Sequence, residues 1–151
     1  MYNALEDNLI PTEKQYIVVK MDDEQYGIDI SYVDNIVRIQ GITRVPKAQP
    51  YFLGVINLRG EVIPVMSMRI RFGRDAVEMT NSTRIIILKI EEHGLVGILV
   101  DEVKEVVTLS EQEVEKPTFR ADELEMFIRG VGKYGDKLIS LLDVNTLLTE
   151  G

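Results

Sequence analysis

The sequence contains no cysteine and only one histidine, His93. The absence of cysteine excludes a disulfide framework, a thiolate nucleophile and a cysteine-ligated zinc or iron–sulfur site. A single histidine also removes most histidine-ligand sets, so we expect neither a metal nor a cofactor. A reducing, cytoplasmic compartment fits this composition.

Long apolar runs and an excess of positive charge are missing as well. The longest purely aliphatic run, 85–88, falls far short of the roughly 18 residues that a membrane span needs. The N-terminus carries Glu6 and Asp7 where an export signal would be basic and then apolar. The 25 acidic and 17 basic residues give a net charge of −8, which repels polyphosphate. We therefore expect no membrane insertion, no export and no nucleic-acid binding.

What the sequence does contain is short, β-branched apolar clusters separated by turn signals, a pattern typical of an all-β chain. Polar turns are predicted at Asp22-Asp23-Glu24 and Glu92-His93-Gly94, and a polar connector near 73–83. Residues 1–14 form a predicted flexible lead-in. Only 143–148 has the aspartate cap and leucine spacing of a helix, and that helix is short.

An internal repeat organises the chain. The fourteen residues that begin at Tyr26 match the fourteen that begin at Val96, position by position, at an offset of 70. Further along, Gly54-Val55 and the apolar residues after it match Gly130-Val131 and its successors, at an offset of 76. Such a period is too long for a solenoid and fits two copies of a small β module.

Each copy has about sixty residues and about five strands, which is the size of a small closed barrel. Closing a sheet into a barrel leaves no exposed edge strand. We expect two such modules packed together, at roughly 15–80 and 81–145, because neither would bury enough surface alone. Gly27 and Gly97 are then predicted to hold equivalent positions, as are Gly54 and Gly130.

Two motifs have a simpler interpretation than the chemistry they suggest. The segment 130–135 is a literal GxGxxG, but a strand pattern follows it, so we predict a hairpin with Tyr134-Gly135-Asp136 at its turn. Arg69, Arg71 and Arg74 alternate with apolar residues, which favours one solvated and one buried face over a phosphate site.

Catalysis has little support in the sequence. His93 lies in a glutamate-rich turn with no nucleophile beside it, and we interpret it as a solvated turn residue. The alternative of a different class is an enzyme with a carboxylate site on Asp101, Glu102 and Glu105. These residues are more simply the solvated side of 101–107, and the default prediction is a binding module.

The segment Asn57-Leu58-Arg59-Gly60 lies between two apolar strands. We expect Gly60 to take a left-handed turn conformation and Arg59 to be held outward. The segment is a turn and nothing more in the simplest interpretation. An outward arginine beside exposed apolar groups is also the composition of a protein-interface anchor.

Taken together, four segments resemble the CheW family of bacterial chemotaxis coupling proteins. They are YGIDI at 26–30, Val45-Pro46 with Pro50 and Phe52, GVINLRGEVIPV at 54–65, and VGILVDEV at 96–103. The resemblance runs from about Gln15 to the C-terminus, so 15–151 is the predicted CheW-like domain. It implies two intertwined, five-stranded, SH3-like barrels without catalytic activity. Such proteins link the cytoplasmic tips of chemoreceptors to the regulatory domain of the histidine kinase CheA.

The resemblance also assigns residues to two surfaces. A receptor-facing groove between the barrels would comprise Val33, Ile36, Leu58, Arg59, Val100 and Val103. A kinase-facing edge of the first barrel would comprise Ile39, Ile42 and Val45. The sequence departs from the family at Asn35, where glutamate is common.

The function implied by the resemblance is that of a non-enzymatic adaptor, cytoplasmic and located at membrane-associated chemoreceptor arrays. The alternative is a paralogous coupling protein that serves a non-flagellar array. We expect no receiver domain of the CheV type, since the sequence ends at Gly151.

Overall fold

The computed structural model describes residues 13–91, 93–116 and 126–149. Its strands are β1 (Glu13–Met21), β2 (Glu24–Asp29), β3 (Val33–Arg38), β4 (Phe52–Leu58), β5 (Glu61–Ser67), β6 (Arg84–Ile90), β7 (Gly94–Val100), β8 (Glu102–Ser110), β9 (Val114–Glu115), β10 (Ile128–Tyr134) and β11 (Lys137–Leu142). The structure also contains the short helices α1 (Met68–Arg71) and α2 (Val144–Thr149) and 3-10 turns at Ile30–Tyr32 and Glu111–Glu113. The predicted all-β fold with a short C-terminal helix is confirmed.

The strands form two sheets. The first sheet has six strands in the order β8-β1-β2-β11-β10-β9, and the second has five in the order β3-β6-β7-β5-β4. The resemblance implied five strands in each. The sixth strand of the first sheet is the two-residue β9, which pairs with β10 through Val131 and Gly132. Its counterpart in the second sheet is a single bridge between Thr43 and Val55.

Strands are exchanged between the two repeats. In the first sheet β2 runs parallel to β11 with Gly27 opposite Leu141, and in the second β7 runs parallel to β5 with Gly97 opposite Val65. Val65 and Leu141 are themselves 76 residues apart, the offset found in the sequence. The predicted equivalence of Gly27 and Gly97 is therefore confirmed. Each sheet combines the first two strands of one repeat with the last strands of the other.

The second predicted glycine pair is confirmed in the same way, since Gly54 lies opposite Val65 and Gly130 lies opposite Leu141. Gly54 has a φ of 142°, and a Cβ there would come within 2.1 Å of the Thr43 carbonyl oxygen, so no other residue fits without moving the backbone.

The predicted segments 15–80 and 81–145 each contribute strands to both sheets. Strand β1 already begins at Glu13, so it includes two residues of the predicted lead-in, and residues 1–12 lie outside the described part. The division of the chain into modules at these boundaries stays a prediction.

Three apolar clusters hold the sheets together. The first-sheet core fills the inner face of the first sheet and consists of Tyr16, Val18, Val107, Leu109, Ile139 and Leu141. The second-sheet core is its counterpart and consists of Ile56, Ile63, Val65, Ile85 and Ile87. The inter-sheet core lies between the sheets and consists of Ile17, Val19, Met21, Tyr26, Ile28, Met66, Met68, Phe72, Ile86, Leu88, Ile90, Ile98, Val100, Phe127, Leu142, Val144 and Leu147.

Strands β1 and β6 separate these cores and are buried on both faces. Along β6, Ile85 and Ile87 point into the second-sheet core, whereas Ile86 and Leu88 point into the inter-sheet core. A strand that packs on both sides needs apolar residues at consecutive positions, which explains the uninterrupted run at 85–88.

Equivalent bulges shape β3 and β8. Val33 pairs with Leu88 and Asn35 with Ile87, so Asp34 is the extra residue, and the register of β8 against β1 shifts in the same way at Lys104. In a regular strand Val33 and Ile36 would point to opposite faces, since they are three residues apart. The bulge puts both on the inter-sheet face.

The predicted turns and helix are found where the sequence placed them. The β1–β2 turn falls at Asp22-Asp23 and the β10–β11 turn at Gly135-Asp136, while the β6–β7 turn contains Glu91 and His93. Glu92 lies outside the described residues. Asp143 caps α2, since its Oδ1 accepts a hydrogen bond from the Thr146 amide at 3.1 Å.

Candidate protein interaction site

The β4–β5 hairpin presents the segment 57–60. Leu58 pairs with Glu61, so Arg59 and Gly60 are the two central residues of the turn, with φ angles of 55° and 86°. Two central residues at positive φ are typical of a type I′ turn, whose twist matches that of the flanking strands. The Oδ1 atom of Asn57 accepts a hydrogen bond from the Gly60 amide at 3.0 Å and fixes the loop. The sequence led us to expect a left-handed conformation at Gly60 alone.

Arg59 therefore occupies a position where Asn or Gly is the preferred residue. Its side chain is exposed, and it makes no hydrogen bond or ion pair within the part of the chain described. Left-handed backbone costs a non-glycine residue about 1 kcal/mol or more. The guanidinium itself makes no hydrogen bond or ion pair with the described residues that would offset this cost.

Three of the predicted receptor-facing residues meet at the inter-sheet core. Val33 and Val103 are half-buried and pack against it, and Val100 belongs to it with 1% of its surface exposed. A residue so deeply buried cannot touch a partner, so Val100 is part of the core and not of a contact surface. Ile36 lies on the same face of β3 as Val33 and is 37% exposed.

Leu58 does not join this group. It is half-buried and packs against the second-sheet core, while Arg59 follows it on the exposed turn. The predicted receptor-facing residues thus lie in two places, the inter-sheet face and the β4–β5 hairpin.

Val106 was not singled out from the sequence and is the counterpart of Ile36 in the other repeat. It pairs with Ile17, an inter-sheet core residue, and is 49% exposed. The signal that identifies it is the repeat itself, because Ile36 and Val106 are 70 residues apart. The pairs Val33–Ile36 and Val103–Val106 therefore provide matching apolar positions on the two sheets.

The predicted kinase-facing residues lie in the connection between β3 and β4. Ile39 and Ile42 are half-buried and pack against the second-sheet core, whereas Val45 is 47% exposed. Val45 lines an open cavity of about 360 Å³ formed by the loop between β3 and β4. Of the three, Val45 is the most exposed.

The prediction that Arg69, Arg71 and Arg74 form a solvated face is wrong. These residues lie in and after α1, not on a strand, and Arg69 turns inward with only 11% of its side chain exposed. Its guanidinium donates to Asp101 at 2.7 Å and to Asp22 at 3.1 Å, and its Nε donates to the Asp75 carbonyl at 2.7 Å. Alternation over so short a segment does not distinguish a strand from a helical turn.

Arg74 extends the same network to the first sheet. It donates to Asp22 at 2.9 Å, to Glu24, and to the Tyr26 hydroxyl at 3.1 Å, while that hydroxyl donates to Glu24 at 2.8 Å. We call Asp22, Glu24, Tyr26, Arg69, Arg74 and Asp101 the ionic clasp, because it joins the β1–β2 turn to the segment that follows β5.

The ionic clasp shifts the pKa values of its members. Hydrogen bonds from Arg69 and Arg74 hold the pKa of Asp22 below its ordinary value of 3.8. The hydrogen bond from Tyr26, and then that from Arg74, hold the pKa of Glu24 below 4.5. Burial and the bond to Glu24 raise the pKa of the Tyr26 hydroxyl, which therefore stays neutral at physiological pH.

Arg71 has a separate role. Its guanidinium lies 4.3 Å from the ring centre of Tyr51 and 4.7 Å from that of Phe127, and its Nε donates to the Leu147 carbonyl at 2.9 Å. It links the residues that precede β4 and β10 to the C-terminal helix.

The carboxylates of the alternative enzyme site each pair with a different cation. Asp101 binds Arg69, Glu102 lies 3.9 Å from Lys104, and Glu105 lies 3.7 Å from Lys137. Within 13–91, 93–116 and 126–149, no group of three or more His, Cys, Asp or Glu residues is placed to hold a metal ion. The helices in these ranges are too short to cross a membrane.

Comparison with known proteins places the whole arrangement in one family. The chemotaxis protein CheW of Bacillus subtilis is 36% identical over 140 residues, which cover 92% of this chain and 89% of that protein. The chemotaxis protein CheW of Helicobacter pylori is 31% identical over 134 residues, or 89% of this chain and 81% of that protein. The crystal structure of the scaffolding protein TtCheW from Thermoanaerobacter tengcongensis superposes with a TM-score of 0.84 at 33% identity, over 91% of this chain and 94% of that one. The model of the CheW-like domain matches residues 15–151, and the chain belongs to the CheW family.

Proposed function

We propose that this protein is a non-enzymatic adaptor that couples the cytoplasmic tips of chemoreceptors to the regulatory domain of the histidine kinase CheA. Its place of action would be the cytoplasmic face of membrane-associated receptor arrays. Family membership supports the proposal, as do the names of its relatives, which are chemotaxis proteins and a scaffolding protein.

The observation that carries the proposal is the conformation of Arg59. This solvent-exposed arginine, at a φ of 55°, makes no hydrogen bond or ion pair with the residues that the structure describes. Strained residues of this kind concentrate at binding sites, where the fold retains them for what they contact. An unpaired charge on a turn whose backbone is fixed is suited to a carboxylate on a partner.

The receptor surface would combine this hairpin with the exposed apolar positions of the inter-sheet face. Arg59 and Leu58 supply the hairpin part, and Ile36, with Val33 beneath it, supplies the apolar part. Arginine and desolvated aliphatic groups are typical of the few interface residues that dominate binding. Val45 and the loop around it would face the kinase.

The test is a binding assay with a receptor cytoplasmic fragment and with the CheA regulatory domain, each purified and offered separately. Arg59→Glu should weaken receptor binding more than about tenfold and leave kinase binding and the thermal midpoint nearly unchanged. Arg129→Glu is the matched control, since Arg129 is exposed on β10 with no ion pair in the described structure. If the wild-type protein binds neither partner, the proposal is refuted.

A further inference from the structure

One segment of this acidic chain carries positive charge and no negative charge. Residues 35–60 contain four cations, Arg38, Arg44, Lys47 and Arg59, and no carboxylate. The other 13 lysines and arginines and all 25 acidic residues lie outside that segment. The segment is thus a basic island in a chain whose net charge is −8.

The cations of the island are not used by the fold. All four are exposed, and none makes an ion pair or hydrogen bond within the described ranges. The arginines of the ionic clasp, by contrast, each contact at least two carboxylates. A charged side chain that pairs with no group of its own protein is available to pair with a partner.

Two of the four cations, Arg44 and Lys47, line the cavity of about 360 Å³ in the β3–β4 loop. Val45, Phe52 and Leu53 line the same cavity, so apolar and basic side chains share its lining. Its volume is within the range of sites that accept a large side chain or a short peptide segment.

The loop that carries the cavity is held in place. Thr43 and Val55 exchange two backbone hydrogen bonds of 2.8 Å, and the Phe52 amide donates to the Gln49 carbonyl at 2.9 Å. Lys47 has a φ of 64°, and together with Asp22 and Arg59 it is one of three described non-glycine residues in the left-handed region. As at Arg59, the fold holds a cation outward in a conformation that costs free energy.

We infer that this basic loop docks an acidic segment of the kinase regulatory domain, in which an apolar side chain enters the cavity and flanking carboxylates meet Arg44 and Lys47. The inference rests on the proposed function and names the chemistry of its kinase-facing site. Outside the segment 25 acidic residues outnumber 13 lysines and arginines, so a negatively charged partner is attracted to this loop more than to the rest of the chain. Charge complementarity of that kind selects one orientation of encounter and accelerates association.

The experiment measures binding of the purified regulatory domain to Arg44→Glu and to Lys89→Glu at low and high salt. Lys89 is the matched control because it is exposed on β6, unpaired in the described structure and outside the island. Arg44→Glu should weaken binding about tenfold at about 0.05 M salt, and the loss should shrink at about 0.5 M, where exposed charges are screened. Receptor binding should be unchanged.

Equal affinities of Arg44→Glu and Lys89→Glu for the regulatory domain would overturn the inference and leave the proposed function standing. A second measurement does not need the kinase. A peptide with one leucine between glutamates should shift the backbone amide NMR signals of 44–53 in the wild-type protein and not in Arg44→Glu, whereas its lysine analogue should shift neither. A shift of the same signals by a DNA oligonucleotide in preference to the acidic peptide would also overturn the inference.

Discussion

Gly27 lies opposite Leu141 in the parallel pairing of β2 with β11, and the leucine Cδ2 atom is 2.8 Å from the place that a Cβ at residue 27 would occupy. Both residues belong to the tightly packed inner face of the first sheet. We expect Gly27→Ala to lower the free energy of unfolding by about 1–3 kcal/mol, because an added methyl group overpacks a buried site. Urea denaturation measures this change directly.

The control is Gly41→Ala, where an added Cβ meets nothing within 4 Å, and it should leave stability nearly unchanged. The double variant Gly27→Ala/Leu141→Val should recover part of the loss, since it makes room for the methyl group. A Gly27→Ala protein as stable as the Gly41→Ala protein would show that the two strands are not held this closely.

Arg59→Asn should stabilise the protein while it weakens receptor binding. Asparagine tolerates positive φ better than arginine and is preferred before glycine in this turn, so the gain should be up to about 1 kcal/mol. Differential scanning calorimetry and the receptor-binding assay, performed on the same sample, measure both effects. A fall in thermal midpoint would contradict the strain assigned to Arg59.

The ionic clasp should give the protein an acid-sensitive contribution to stability. The folded-state pKa values of Asp22 and Glu24 lie below their ordinary values, so the contribution is complete above about pH 5 and is lost as the pH falls through those lower values. Arg74→Gln removes a partner of both carboxylates. The gap in thermal midpoint between wild type and Arg74→Gln should therefore be widest near neutral pH and shrink as the pH falls below the ordinary pKa values of 3.8 and 4.5.

Arg129→Gln is the control for that experiment, and its difference from wild type should not change over the same pH range. If the Arg74→Gln gap stays constant from neutral to acidic pH, the two carboxylates do not draw their charge stabilisation from Arg74.

Val106 should matter for receptor binding as much as Ile36 does. Both are partly exposed, so Ile36→Ser and Val106→Ser should each change the free energy of unfolding by little more than about 0.5 kcal/mol. If the receptor lies against both sheets, both variants lose affinity. If Ile36→Ser alone weakens binding, the receptor contacts only the second sheet. The equivalent residue Val106 then has no part in receptor binding.

Much of the fold follows from local signals in the sequence. Polar residues mark the turns at Asp22, His93 and Gly135, and the offset of 70 reveals the duplication. The exchange of strands does not follow, because the two repeats carry the same pattern. Gly27 fits equally well against Val65 of its own repeat and Leu141 of the other, so only the folded structure tells which one it meets.

The candidate site was predictable where it depends on one residue and less so where it depends on packing. The motif at 57–60 indicated Arg59, but its positive φ is visible only in the turn. The bulge at Asp34 puts Val33 and Ile36 on one face, which a regular strand would not do. The inward direction of Arg69 depends on Asp22 and Asp101, which are 47 and 32 residues away in sequence.

Strand exchange also bears on how such a protein could arise and be divided. A polypeptide containing one repeat alone lacks the strands that close its own sheet, and it could complete that sheet only by association with a second copy. Two such half-length molecules would form the same two sheets as a symmetrical dimer, with the polar connector near 73–83 replaced by a chain end in each. Proteolysis within that connector should likewise leave two fragments that remain associated and must be denatured to separate.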